Sequence, residues 1–172
     1  DTASKAPEAF LDYVLPVFIR IVTGSSRERD GKLRLDRVWS MRMYRDDALN
    51  IEDSLLAGLE SALRILASRN SPSFGRYVTE LERYGDYDSV NFLLVRSLSV
   101  APSAYADRAI AYLLANPQRL ECGWGASGGG DASYWAGREL VEHISCQCSQ
   151  KQYERLEDEM VGHFPLWERS PH

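Results

Sequence analysis

The sequence predicts an all-α fold, and three observations carry that prediction. Apolar residues recur at helical spacing along most of the chain, most regularly at Ile51, Leu55, Leu59, Leu63 and Leu66. A helix-start signal occurs twice, as Ser71-Pro72-Ser73 and Ala101-Pro102-Ser103, with the two prolines 30 residues apart. Only one segment alternates as a strand does, and a lone strand has no pairing partner. The expected architecture is a single domain over residues 1–172 with about six to eight helices. Its form is either antiparallel helical hairpins stacked as a short α-solenoid of the HEAT or TPR type, or an irregular helical bundle. One hairpin cannot bury its apolar stripe alone, so it stacks on the next.

Each element has a local reason. The first stripe is Phe10, Val14, Val17, Phe18 and Ile21, bent or interrupted by Pro16. The alternating segment is "LRLDRVWSMRMY", residues 33–44, expected as an irregular linker or short helix. Asn50 caps the next helix, and Asp53 suits its positive end. Pro72 opens a short helix with Phe74, Tyr77, Val78 and Leu81. "YGDYD" turns the chain into a helix with Val90, Leu93, Leu94 and Leu98. Pro102 opens one with Tyr105, Ala109, Ile110, Leu113 and Leu114, which Asn116-Pro117 stops. A Gly-rich inter-helix loop occupies residues 120–131. Asp131 or Ser133 caps a helix with Tyr134, Val141, Ile144 and Cys148 on one face. Ser149 and Gln152 form a capping box for the last helix, with Tyr153, Leu156 and Met160, and Phe164-Pro165 ends it.

Composition narrows the function classes. The chain has 172 residues, 44% hydrophobic and 26% charged, enough to build one core in a soluble domain. A net charge of −5 argues against a general nucleic-acid binder. Residues 27–45 are the exception, with seven Lys or Arg against three Asp or Glu, and read as a solvated face. Cys122, Cys146 and Cys148 are too few and odd in number for a disulfide framework, which fits a reducing cytosol. The longest apolar run, residues 13–19, is too short to span a bilayer. The polar start shows no signal peptide, and a first residue of Asp1 is expected of a piece of a longer cytoplasmic protein.

The loop "GWGASGGGDAS" raises the question of catalysis. Gly125, Ser127 and Gly129 spell a nucleophile elbow, and Gly123, Gly125 and Gly128 a dinucleotide fingerprint. Both motifs need a strand immediately before them, and the preceding residues are a helix end and a polar turn. A Walker A loop needs Lys where Asp131 stands. No catalytic residue and no cofactor is therefore expected, and the enzymatic alternative is a small helical hydrolase using Ser127 with His143 or His163. His143 and Cys146 share a helix face, but Cys148 points elsewhere. His163 or Cys122 would have to complete a four-ligand set, so no metal is expected. The loop is a connection that can present recognition residues, expected at Arg119, Trp124, Asp131 and Trp135. A protein partner is expected, and neither a membrane nor nucleic acid.

The segments "FLLVRSLSVAP…ADRAIAYLLANPQRLECGWG" and "WAGRELVEHISCQCS…YERLEDEMVGHFPLWE" resemble the C-terminal helical-repeat region of large bacterial STAND-type antiviral NTPases. The shared succession is an L-L-x-R helix, an A-D-x-A-x-x-Y-L-L helix, a P-x-R-L turn, a Gly/Trp loop, a W-x-x-R-E-L helix, then C-S and P-x-W-E. It covers residues 51–168. The resemblance implies a sensor array that binds a foreign protein and triggers oligomerisation. The NTPase module and the effector would lie upstream. No catalytic residue of that family transfers to this chain.

Overall fold

The computed structural model describes residues 2–27, 33–40, 50–123 and 134–162. Among them are eight α-helices: α1 (Thr2–Lys5), α2 (Pro7–Ser25), α3 (Ile51–Ser68), α4 (Phe74–Glu82), α5 (Asp88–Leu98), α6 (Ala106–Ala115), α7 (Trp135–Ser145) and α8 (Gln150–Gly162). Two 3-10 turns, Ser103–Tyr105 and Pro117–Glu121, flank α6. The described residues hold no sheet, only two isolated bridges, Arg27 with Leu35 and Arg34 with Tyr87. The all-α expectation is met, and an irregular bundle describes the packing. None of the described helices is long and apolar enough to cross a membrane.

Helix α5 is the axis of the core. Every side chain from Ser89 to Val95 is buried, as are Ser97 and Leu98. A helix buried nearly all round needs cover on every side, and α2, α3, α4 and α7 supply it. Helix α6 continues the packing onto α7 and α8. Residues 33–40 are irregular, as expected, yet firmly seated. Trp39 packs tilted against Phe18 with ring centroids 4.9 Å apart, and its indole N–H donates to the Glu52 carbonyl at 2.9 Å. Buried Asp36 accepts from the Val38 and Trp39 amides at 2.8 and 2.6 Å, and from the hydroxyls of Ser40 and Ser89. A buried carboxylate with this many donors needs no counter-ion to sit inside.

Several caps differ from expectation. Asn50 behaves as read, accepting from the Asp53 amide at 2.9 Å. Pro72 does not open α4, which starts at Phe74. The hydroxyls of Ser71 and Ser73 donate to Glu8 of α2 instead. Pro102 likewise precedes a 3-10 turn rather than the α-helix itself. The capping box at α8 does not form. The Ser149 amide is taken by Asp107 of α6 at 2.7 Å, and Gln152 accepts from Arg155. Tyr134, in the left-handed region at φ 64°, occupies the N-cap of α7. Asp131 and Ser133, the expected caps, lie outside the described residues, as do Phe164 and Pro165.

The stripe on α2 also shifts. Its core face is Leu11, Leu15, Phe18, Ile19 and Val22, while Val17 and Ile21 face solvent. The helix is apolar on more than one side, so periodicity alone left its orientation open by a quarter turn. Pro16 lies inside an unbroken helix rather than interrupting it. Ile51, read as part of the α3 stripe, is exposed at the helix start.

Candidate functional site

Three polar clusters in the described residues hold the fold together. In the first, Arg96 of α5 donates from Nε to Glu60 of α3 at 2.7 Å and from Nη1 to Glu139 of α7. Its guanidinium lies 4.6 Å from the Trp135 ring centroid. In the second, Arg119 donates from Nη1 to the Tyr112 carbonyl at 2.7 Å and from Nη2 to Asp86 at 2.9 Å, and stacks 4.2 Å over the Tyr112 ring. The Tyr112 hydroxyl donates to Asn91 at 2.8 Å, and burial pushes that phenol far above its ordinary pKa. The third is the Asp36 cluster.

The expected binding residues fall as follows. Arg119 is 8% exposed, and its guanidinium is engaged with Asp86 and the Tyr112 carbonyl inside the chain. Trp135 is half-buried, edge-on to Phe92 at 6.2 Å and covered by Arg96. Trp124, Asp131, Ser127 and His163 lie outside the described residues. His143 donates from Nε2 to the Ala101 carbonyl at 2.9 Å, which ties α7 to the turn after α5. Cys122 is buried, Cys146 exposed and Cys148 half-buried. No group of three metal-ligating side chains gathers among the described residues. In the basic stretch, Arg34 sits 5.5 Å from the Tyr87 ring centroid and donates to its hydroxyl at 3.3 Å.

An open groove lies elsewhere among the described residues, between α2 and α4. A groove of about 530 Å³ has Leu11, Leu15 and Ile19 on its floor. Its rim carries Asp12 and Arg20 from α2, and Arg76 and Glu80 from α4. The Tyr77 hydroxyl donates to Asp12 Oδ1 at 2.8 Å, and Arg76 Nη2 donates to the same oxygen at 2.9 Å and to the Tyr77 hydroxyl at 2.8 Å. Burial first, then the bond to Asp12, pushes the Tyr77 phenol up to about 12. At neutral pH that phenol is a hydrogen-bond donor, not a base. Pro16 has no N–H, so the carbonyl of Asp12 lacks its ordinary helical donor on the same wall.

No family model, curated protein or solved structure matches the chain.

Sequence reading missed this groove because Asp12 and Arg76 stand 64 residues apart and neither belongs to a local motif. The one available signal was Pro16, a helix-weakening residue kept within an apolar stripe. The Asp36 cluster was missed too, and its signal was an acid placed between the apolar residues Leu35 and Val38.

Proposed function

We propose that this chain is a protein-recognition module of a larger cytoplasmic protein, and that the α2–α4 groove receives an amphipathic segment of a protein partner. The observation that carries the reading is a groove of about 530 Å³ between two helices, backed by the core residues Leu11, Leu15 and Ile19 and edged by charges of both signs. Asp12 and Glu80 stand with Arg20 and Arg76, which suits a segment bearing both signs around an apolar stripe. A nucleic acid would call for a rim of one sign. The stacked-hairpin form of the fold is supported by the order of contacts: α3, α5 and α7 touch in succession, and α6 bears on α8. The resemblance to STAND-type NTPases gives the reading its specific form, a ligand-sensing array whose occupancy shifts a larger assembly between states.

A photo-crosslinking residue at Glu80, in the protein produced in its source cell, tests the groove. The expected result is one discrete protein adduct that disappears in a Thr23→Trp variant, which fills the groove and melts like the parent. An adduct that persists in Thr23→Trp, or none at all, overturns the reading. An antibody against this domain tests the larger context. A product several times longer than 172 residues, with GxxxxGK[ST] upstream, supports the sensor array, and a product of this length removes it.

A further inference from the structure

Four charged side chains line the α2–α4 groove, and the chain itself matches three of them. Arg76 and Asp12 pair across it at 2.9 Å, and the Tyr77 hydroxyl donates to the same carboxylate oxygen. Glu80 pairs with Arg83 of the next turn at 2.8 Å. Arg20 differs. It is exposed on α2, and among the described residues its guanidinium has no ion pair and no hydrogen-bond acceptor. The two ends of the groove are therefore unlike. At the Asp12 end the charges close on one another. At the Arg20 end, about 12 Å further along α2, a cation stands open. Folding does not account for it. A cation is favoured in the last turn of a helix, and α2 runs on to Ser25. The wall between the two ends is apolar. Pro16 is exposed there, with Leu15 and Ile19 behind it in the core. Pro16 and Arg20 are one turn apart on the same helix, so they share a face at a separation of about 6 Å along its axis.

Resting on the reading of this groove as a docking site, we propose that Arg20 selects the occupant. The partner segment carries a carboxylate one helical turn from an apolar side chain. The apolar group lies over Pro16, and the carboxylate lies on the Arg20 guanidinium. A guanidinium offers paired N–H donors that a carboxylate accepts with both oxygens. A segment with an ammonium in that place meets a like charge at Arg20. At the other end it meets a carboxylate that Arg76 already neutralises. The rim has both signs in composition, but what it leaves unmatched is positive, so the sign that discriminates between partners is negative. A bare anion lacks the apolar half of the contact, and a nucleic acid calls for a run of cations.

Nuclear magnetic resonance of the isotope-labelled full chain tests the selection, with sodium hexanoate, hexylammonium chloride and inorganic phosphate as probes. Hexanoate is expected to shift the Ile19, Arg20 and Thr23 amides saturably, with a dissociation constant on the order of millimolar for so small a ligand. It is expected to bind about tenfold more tightly than hexylammonium. Arg20→Gln is expected to erase that preference while circular dichroism and melting stay those of the parent. Arg20→Lys keeps the charge without the paired donors and is expected to retain part of it. Hexylammonium binding as tightly as hexanoate overturns the proposal. So does a preference that survives Arg20→Gln, or the absence of a saturable shift with hexanoate. Phosphate that shifts the same amides as strongly as hexanoate reduces the site to a bare anion contact and overturns it too. The Glu80 crosslink separates this failure from that of the groove. An adduct that forms in the parent and survives Arg20→Glu removes the carboxylate and leaves the docking site standing. No adduct in the parent removes the docking site, and the selection with it.

Discussion

At the junction of α5, α6 and α7, arginine side chains lie deep and reach carboxylates nearer the surface; along α2, apolar side chains lie outside and meet solvent. Arg119 is 8% exposed and paired with Asp86 and the Tyr112 carbonyl. Tyr13 is 81% exposed. The two regions show opposite uses of an unusual placement. A polar group taken inside needs partners there. Arg119 meets that demand through Nη1 and Nη2 while its buried Nε has no protein partner among the described residues, and the bonds that are made fix the junction's geometry. An apolar group left largely outside, as Tyr13 is, contributes little to folding.

The sharpest way to break the comparison is on neighbouring residues of α2. Phe18 is fully buried against Trp39, and Phe18→Ala is expected to destabilise the chain by about 3–5 kcal/mol. Val17→Ala, one residue away, is expected to change stability by less than about 0.5 kcal/mol in dilute solution. Thermal melts of the pair decide it, and equal losses would mean that the outward face is packed after all.

The junction should yield next. A Cβ at Gly137 would lie 2.2 Å from the Leu120 carbonyl oxygen, and the Gly137 amide donates to the Cys122 carbonyl at 3.1 Å. Gly137→Ala must push α7 off the 3-10 turn, at an expected cost of about 3 kcal/mol by urea titration. Tyr112→Phe removes only the hydroxyl that donates to buried Asn91. It is expected to cost about 1–2 kcal/mol, since the amide oxygen is left unpaired.

The smallest effect at ordinary pH sits in the groove. Tyr77 is raised from 10.0 to about 12 in the fold. Its contribution to stability is complete below pH 10, where both states are protonated. It is lost as pH rises from 10 towards 12, because the unfolded chain releases the proton first. Tyr77→Phe should flatten that decline in alkaline melts, and an unchanged slope would detach the phenol from it.

Much of the fold was legible because it rests on local signals. Leu59, Leu63 and Leu66 are core residues at the spacing that announced them, and Asn50 caps as its side chain suggests. Arg96, Arg119, Trp135 and Glu139, which stood out in the sequence as parts of short motifs, are among the residues that join helices. What was illegible depends on pairs far apart in sequence. Asp107 outcompetes a capping box because it arrives from another helix. On the groove, Arg76 of α4 reaches Asp12 of α2. The apolar circumference of α2 hid which side faced the core, and only its neighbours settled that.

The tie between Asp107 and Ser149 also sets an order in which the molecule comes apart. Helix α8 has one buried side chain, Leu156, and its first turn is anchored by a carboxylate belonging to α6. It therefore has little reason to form before α6 is in place. Once formed, it can open without disturbing the layers beneath. Among the described residues α8 is a lightly held helix on the face of α6, so the exposure of α6 there is governed by a fluctuation cheaper than unfolding the core.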